Sequence, residues 1–219
     1  MATQAEKGFL PALRFERLTP LFDPVVRLTS REGEFKRRLL AQAGISPGMT
    51  VLDLGCGTGT LAIDVKRAEP AAEVIGLDAD PAILERARGK VDKAGLDIAL
   101  DHGFADDLPY EDGSFDRVIS TLFFHHLPPA VKAGTASEIT RVLKHGGELH
   151  VADWTNPRDP LMRLGALGLR LFDGDEPTRD NLAGRLPDIL AAGGLADVRE
   201  RDTMRLAFGL LALLSGRRP

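Results

Sequence analysis

Residues 51–60 read VLDLGCGTGT, a short apolar run followed by glycines at positions 55, 57 and 59. The apolar run Val51–Leu54 is typical of a strand that is buried on both faces of a parallel sheet. Glycines let the backbone turn sharply and let a ligand approach the main chain, and the N-terminus of the following helix offers unpaired N–H donors. The stretch therefore predicts a strand, a nucleotide-type cradle and a helix.

Apolar runs and helical periods keep alternating on both sides of this stretch, which predicts an α/β fold with helices on both faces of a parallel sheet. Further strands are expected at 74–77, 98–101, 118–120, 148–152, 196–204 and 206–214. Helices are expected to end at Gly44, to follow Gly59, to begin at Asp80-Pro81, and to cover 137–143, 161–172 and 182–192. We expect no ordered structure after Ser215.

The charges around the cradle favour one cofactor class over another. Asp78 ends the second strand, where a carboxylate can accept both hydroxyls of a ribose. Dinucleotide-binding folds usually read G-x-G-x-x-G, whereas this loop reads G-x-G-x-G and has no basic residue near it in the sequence. Asp53 would repel a pyrophosphate and attract a sulfonium or an ammonium. The pattern favours S-adenosylmethionine over NAD, and a nicotinamide-dependent reductase is the less favoured enzyme.

The chain also shows a specific resemblance to a known family. Five motifs carry it, in the order VLDLGCGTG, VIGLDAD, GFADDLPYEDGSFDRVIS, TLFFHHLPP and LKHGGELHVADW. Between about Gly44 and Trp154 the chain resembles the class I S-adenosylmethionine-dependent methyltransferases. Within them it is similar to the small-molecule branch related to ubiquinone/menaquinone-biosynthesis C-methyltransferases. The resemblance implies a doubly wound, seven-stranded, mostly parallel Rossmann-like sheet whose last strand is antiparallel, and S-adenosylhomocysteine as the product left by the cofactor.

The resemblance also implies cofactor contacts at named positions. The loop Gly55, Cys56, Gly57, Thr58 and Gly59 would hold the methionine moiety, with Asp53 near its amino group, Asp78 on the ribose, Ala79 on the adenine ring and Thr121 lining the pocket. Family members usually carry Asp or Asn where this chain has Phe104, so Ala105 and Asp106 are the expected adenine partners. Cys56 is expected to be a small packing residue, with a reactive thiol beside a helix N-terminus as the alternative.

Methyl transfer from a sulfonium needs a base only if the acceptor must lose a proton, and three residues are candidates for that role. His125 and His126 follow the fourth strand and Asp153 ends the fifth, where the carboxyl ends of parallel strands form a ligand crevice. Trp154 could stack on a flat acceptor, and packing at the sheet edge is the alternative for this residue. The alternative is that the histidines are structural and bond loop carbonyls. We expect no metal, because the five histidines show no spacing such as His-x-x-x-His.

Length and composition limit the remaining choices. The 219 residues suit one α/β domain, which we place at 41–219 behind a helical extension at 1–40 that caps the acceptor pocket. A net charge of −4 argues against a nucleic-acid partner, and one cysteine indicates a reduced, cytoplasmic chain. No membrane span is expected. The predicted partner is a small-molecule methyl acceptor, and a homodimer is compatible with the sequence. A non-catalytic cofactor sensor or partner subunit, with 161–172 as its interface, stays open as the alternative.

Overall fold

The computed structural model describes residues 31–206 and 209–219, and its centre is one seven-stranded sheet. The strand order is β3-β2-β1-β4-β5-β7-β6. The strands are β1 (Thr50–Leu54), β2 (Glu73–Asp78), β3 (Ala99–His102), β4 (Phe115–Thr121), β5 (Leu143–Thr155), β6 (Ala196–Leu206) and β7 (Gly209–Arg217). Strand β7 runs antiparallel to both of its neighbours, and the other pairings are parallel. The predicted fold class is confirmed.

Seven α-helices of the described residues connect and cover the strands. They are α1 (Glu32–Ala43), α2 (Thr60–Ala68), α3 (Pro81–Ala94), α4 (Pro129–Val142), α5 (Pro160–Asp173), α6 (Asp175–Leu182) and α7 (Leu186–Ala192), with one 3₁₀ turn at Phe124–His126. The predicted start of α3 is confirmed, because the Asp80 side chain accepts hydrogen bonds from the N–H groups of Ala82 and Ile83 and Pro81 opens the helix. None of these helices combines the length and the apolarity needed to cross a bilayer.

Each face of the sheet carries its own apolar core because side chains alternate along a strand. Val51 belongs to the core under α1 and α2, whereas Leu52 belongs to the core under α4 and α7. Helix α1 is part of this packing, since Phe35 and Leu39 are fully buried. The proposed boundary between residues 40 and 41 therefore falls inside a helix that packs on the sheet, and residues 1–30 of the proposed cap lie outside the described residues.

The prediction of a single helix at 182–192 was wrong in its bounds. Two helices occupy this region, α6 ending at Leu182 and α7 beginning at Leu186, because Gly184 between them has a left-handed backbone with φ +72°. Helix α6 was not expected at all. Its buried face carries the polar residues Thr178, Asp180 and Asn181. The sequence therefore lacks the apolar periodicity that would predict a helix here.

Other bounds also differ from expectation, and two of them have a clear physical reason. Helix α4 begins at Pro129, well before 137, because a proline suits the first turn of a helix. Strand β7 continues to Arg217 although no order was expected after Ser215. Its end is held because β7 lies between two strands, with Arg217 paired to Glu148 of β5 and to Ala196 of β6.

The strand order reverses at β1, since β2 and β3 lie on one side of it and β4 and β5 on the other. A crevice forms at such a switch point, beyond the carboxyl ends of the strands, and ligands of open α/β sheets bind there. The glycine loop follows β1, the His125-His126 pair follows β4, and Asp153 lies near the end of β5. The topology therefore brings both groups of predicted site residues to one edge of the sheet.

Candidate active site

The glycine loop between β1 and α2 is tied to the neighbouring strand β2 by its backbone. The N–H groups of Gly55 and Cys56 both donate to the carbonyl of Leu77, at 2.9 and 3.0 Å. The N–H of Gly57 donates to Oδ2 of Asp78 at 2.9 Å. Gly55, Gly57 and Gly59 all have positive φ, a conformation that glycine adopts without steric cost. The loop is therefore a preformed, left-handed turn anchored on the predicted ribose-binding carboxylate.

The adenine end of the predicted site lies beyond Asp78. Its Oδ1 accepts the N–H of Asp80 at 3.0 Å, which holds the carboxylate at the strand end. The ring of His102 hydrogen-bonds the carbonyl of Ala79 through Nε2 at 3.1 Å and meets the Phe104 ring edge-on, with centroids 6.1 Å apart. Phe104 thus belongs to an aromatic pair beside Ala79, at the predicted adenine end of the site.

Asp53 lies beneath the loop and is 1% exposed. Its Oδ2 accepts the N–H of Ala62 at 3.0 Å, in the first turn of α2. The residue before that helix is Gly59, which has no side chain to accept such a bond, so Asp53 supplies the missing cap from the strand. Burial raises the pKa of Asp53 to about 7, although Lys36 and the Ala62 N–H act in the opposite direction.

Cys56 is a packing residue in the structure. Its thiol is buried, and a Cβ built on Gly76 of β2 would lie 3.0 Å from its Sγ. Burial raises the pKa of the Cys56 thiol, and the negative charges of Asp53 and Asp78 add to the effect. A reactive thiolate needs the opposite environment, so the structure favours the small packing residue over the reactive thiol.

The segment after β4 covers the loop from the other side. A Cβ on Gly55 would lie 2.2 Å from the Phe123 ring, so that ring rests directly on the glycine backbone. Leu122 has φ +52°, an uncommon conformation for a branched side chain, and its N–H donates to the carbonyl of Ala152 at 2.8 Å. Thr121, the predicted pocket residue, is half-buried at the end of β4.

His125 and Asp153 form a buried pair. His125 Nδ1 lies 2.8 Å from Asp153 Oδ1, and the two side chains are 4% and 1% exposed. Asp153 also accepts backbone N–H groups from Phe123 at 3.1 Å, from Phe124 at 2.7 Å and from Trp154 at 2.7 Å. Burial raises the pKa of Asp153, but His125 and the N–H donors outweigh this and hold the pKa below its usual value.

Both Asp153 oxygens are therefore engaged, and the carboxylate fixes the direction of the His125 ring. Trp154 is also buried and meets the His125 ring edge-on, with centroids 6.4 Å apart. The Trp154 indole packs against His125, which agrees with a packing role for this side chain and not with stacking on an acceptor.

His126 and Asp173 extend this pair toward solvent. The His125 and His126 rings have centroids 3.9 Å apart, and the His126 side chain is 47% exposed. Asp173, at the end of α5, lies 3.8 Å from His125 Nε2 and 3.7 Å from His126 Nδ1. Burial raises the pKa of Asp173, and His125 opposes that shift.

Comparison with known proteins identifies the family of this chain. Residues 51–147 match a methyltransferase domain family. A demethylmenaquinone methyltransferase from Thermus thermophilus is 35% identical over 157 residues, which cover 71% of this chain and 68% of that protein. The chain belongs to the S-adenosylmethionine-dependent methyltransferase family.

Two further similarities show how far the relationship extends. An uncharacterized methyltransferase from Synechocystis is 38% identical over 126 residues, covering 58% of this chain and 57% of that protein. This methyltransferase chain thus spans a little over half of that relative. The structure of an S-adenosylmethionine-dependent methyltransferase from Aquifex aeolicus superposes with a TM-score of 0.66 at 20% identity, covering 91% of this chain and 95% of that one. That likeness confirms the fold.

The residues of this methyltransferase fit the cofactor of its family. A Cβ on Gly57 would meet no heavy atom within 4 Å, so the loop leaves open space above its backbone, and Asp78 stands at the edge of that space. The structure brings the predicted loop residues and Asp78 together at the end of β1 and β2. Ala105 is buried, Asp106 is half-buried, and both follow β3 next to Phe104.

Three residues of the candidate site were not predicted from the sequence. Lys90 of α3 donates to the Thr58 hydroxyl at 2.6 Å, so a basic residue does reach the loop although none lies near it in sequence. Phe123 and Asp173 are the other two. A lysine on a helix face, a phenylalanine in an apolar run and an aspartate at a helix end carry no local signal of these contacts, which depend on tertiary packing.

Proposed function

We propose that this protein transfers a methyl group from S-adenosylmethionine to a small, partly apolar acceptor molecule. The observation that carries the proposal is the open glycine loop whose Gly57 N–H is bonded to Asp78 at the switch point of the sheet. A non-catalytic cofactor sensor is the alternative, and a nicotinamide-dependent reductase is disfavoured by the family to which the chain belongs.

The proposed cofactor contacts follow the loop and the strand ends. The backbone of Gly55–Gly59, with Cys56 and Thr58, holds the methionine portion. Asp78 accepts the ribose hydroxyls with its remaining lone pairs, while Ala79, Phe104, Ala105 and Asp106 border the adenine and Thr121 lines the pocket. Asp53 lies below the loop, and in its ionised form it favours a cationic group above the loop. When bound, the cofactor supplies an electrophilic methyl group on a sulfonium.

The chain's own contribution to the reaction is orientation and the exclusion of water, which supply roughly 7 to 11 kcal/mol when two reactants are held in line. The bond from sulfur to the methyl carbon breaks as the acceptor atom bonds that carbon. An acceptor that carries a proton must lose it. His126, the exposed imidazole of the pair, and His125, held by Asp153, are the groups proposed to contact the acceptor's polar atom.

The relatives suggest a first acceptor to test. Proteins named demethylmenaquinone methyltransferase are 33% and 35% identical to this chain. A reduced, demethylated naphthoquinone with a short prenyl tail is a flat, apolar molecule with hydroxyl groups, which suits a site with both aromatic and imidazole side chains. We propose an acceptor of this class, an electron-rich aromatic diol.

The decisive experiment has a binding part and a turnover part. Calorimetry with S-adenosylhomocysteine should show one site per chain, and Asp78→Ala should weaken it at least tenfold, whereas Asp97→Ala on the exposed loop before β3 should not. Methyl transfer from labelled cofactor to the reduced naphthoquinone should then be detected. Binding without transfer to this or any other acceptor in a metabolite extract would favour the sensor, and binding of NADH alone would contradict the proposal.

A second variant separates the acceptor side from the cofactor side. His126→Ala should lower turnover at least tenfold and leave S-adenosylhomocysteine affinity unchanged, because the imidazole lies beyond β4 and not on the glycine loop. Its exposed position predicts a change in stability within about 0.5 kcal/mol. Unchanged turnover would remove His126 from the proposed acceptor contacts.

A further inference from the structure

Three side chains from two separate elements converge at the mouth of the crevice. His125 and His126 come from the 3₁₀ turn after β4, and Asp173 comes from the end of α5. One nitrogen or oxygen atom from each lies within 4.8 Å of those from the other two. Asp173 lies 3.8 and 3.7 Å from the nearest nitrogens of His125 and His126, too far for hydrogen bonds of about 2.7 to 3.2 Å. The three groups therefore face a common gap.

The width of this gap suits a metal ion. Imidazole nitrogens and carboxylate oxygens bind zinc at about 2.0 to 2.2 Å, so two such ligands at bond angles of 90 to 120° are about 2.8 to 3.8 Å apart. The separations of 3.8 and 3.7 Å from Asp173 to the two imidazole nitrogens lie at the upper end of this range, and the three ligand atoms are within 4.8 Å of one another. Although the spacing of the histidines in the sequence predicts no metal, we propose that His125, His126 and Asp173 bind a divalent first-row transition-metal ion. Two imidazoles and one carboxylate leave open coordination positions on such an ion.

Asp153 provides an independent observation in support. A histidine that binds a metal usually donates its other ring N–H to a carboxylate, which sets the tautomer and the ring direction. Here His125 Nδ1 is bonded to Asp153 at 2.8 Å, which places Nε2 on the side of Asp173, 3.8 Å from its Oδ2. Asp153 is itself held by three backbone N–H groups, so the direction of the His125 ring is determined before any ion binds.

The local charge is also suitable. Asp153 and Asp173 bring two carboxylates to two imidazoles, and a divalent cation would balance them. The proposed ion would present its open positions to the crevice, where it would bind an oxygen of the methyl acceptor in place of a direct contact between the imidazoles and that oxygen. This last role rests on the proposed function, whereas metal binding itself does not.

The test uses the full chain without a purification tag, stripped with a chelator and then titrated with Co²⁺ while the visible spectrum is recorded. We expect one Co²⁺ per chain. His126→Ala and Asp173→Asn should each weaken binding at least tenfold, and Asp153→Asn should weaken it 10- to 100-fold by loosening His125. His145→Ala is the matched control, because this histidine is exposed and hydrogen-bonds the carbonyl of Pro219 far from the crevice.

Two results would overturn the site: no stoichiometric Co²⁺ binding by the wild-type chain, or equal binding by a folded His126→Ala/Asp173→Asn double variant. The circular dichroism spectrum and the unfolding midpoint check that each variant is folded. Calorimetry with S-adenosylhomocysteine separates this proposal from the previous one. Cofactor binding without Co²⁺ binding would overturn the metal site alone, and Co²⁺ binding without cofactor binding would count against the methyltransferase activity.

Discussion

Single residues of the cofactor loop differ in what their surroundings permit. Gly55 has no room for a side chain, because a Cβ there would collide with the Phe123 ring at 2.2 Å. Gly57 has open space above it and needs glycine for its φ of +54° and for access to the loop backbone. A substitution at Gly55 would disturb both the fold and the site, so Gly57 is the position at which cofactor binding can be tested separately from stability.

Gly57→Ala and Gly95→Ala should therefore separate binding from folding. Both glycines have left-handed backbones, at +54° and +63°, and neither would bring a Cβ within 4 Å of another atom. Each substitution should cost about 1 to 2 kcal/mol of unfolding free energy, since alanine disfavours this conformation. Only Gly57→Ala should reduce S-adenosylhomocysteine affinity, at least tenfold, because Gly95 ends α3 away from the loop. Urea unfolding and calorimetry measure the two effects, and equal affinities would contradict the assigned cradle.

Asp53 should make stability depend on pH in a defined direction. Its pKa is 3.8 in an ordinary environment and about 7 when folded. Between these values the folded chain holds a proton that the unfolded chain has lost, so the unfolding free energy falls as pH rises from about 4 to 7. Asp53→Asn removes this contribution, and each pH unit inside the window is worth up to about 1.4 kcal/mol.

The unfolding free energies of the wild type and of Asp53→Asn, measured by urea at several pH values without cofactor, test this. The variant should gain on the wild type as pH rises through the window, and the difference should level off above pH 7. Parallel curves for the two proteins would show that the buried carboxylate does not titrate as proposed.

Helix α5 has a buried face and an exposed apolar face. Leu169 is 7% exposed and packs in the core, whereas Leu164, Leu167 and Leu171 are 65%, 51% and 83% exposed. The same helix also ends at Asp173, so the packing of its inner face positions a carboxylate of the proposed metal site. Packing of this helix on the sheet thus couples stability to the geometry of the crevice.

Two leucine-to-alanine substitutions in α5 should show this difference. Leu169→Ala should lower the unfolding free energy by about 2 to 5 kcal/mol because it removes buried apolar contacts. Leu167→Ala should change it by no more than about 0.5 kcal/mol, and alanine suits a helix as well as leucine does. Thermal or urea unfolding gives both values. A large loss from Leu167→Ala would indicate that its exposed face is covered in solution.

Helix α1 packs on the sheet, and the stability of the whole molecule depends on this packing. Phe35 and Leu39 are fully buried, Gln42 donates to the Leu214 carbonyl of β7 at 2.9 Å, and Arg117 of β4 donates to the Ala43 carbonyl at 2.8 Å. Helix α1 therefore joins two strands of the sheet, β4 and β7, that are not adjacent to each other. The predicted cap of residues 1–40 overlaps this helix. The capping role therefore stays a prediction for the residues that precede α1.

Two truncations test that division. Removal of residues 1–30 should leave cooperative unfolding and S-adenosylhomocysteine binding intact and should abolish turnover, if this segment covers the acceptor pocket. Removal of residues 1–40 should also destabilise the fold severely, because loss of a buried phenylalanine or leucine costs about 2 to 5 kcal/mol each. Full turnover after the shorter truncation would contradict the proposed cap.

The sequence by itself determined the fold class, the strand, loop and helix around residues 51–60, and the cofactor class. These follow from local signals: buried strands are short apolar runs, helices have their own period, and glycines at alternate positions mark a ligand loop. The convergence of His125, His126, Asp153 and Asp173, the Phe123 ring on Gly55 and the polar buried face of α6 were decided only by the tertiary structure. The physical reason is that these contacts join residues far apart in the chain. Their distances depend on strand order and helix packing, which no local period records.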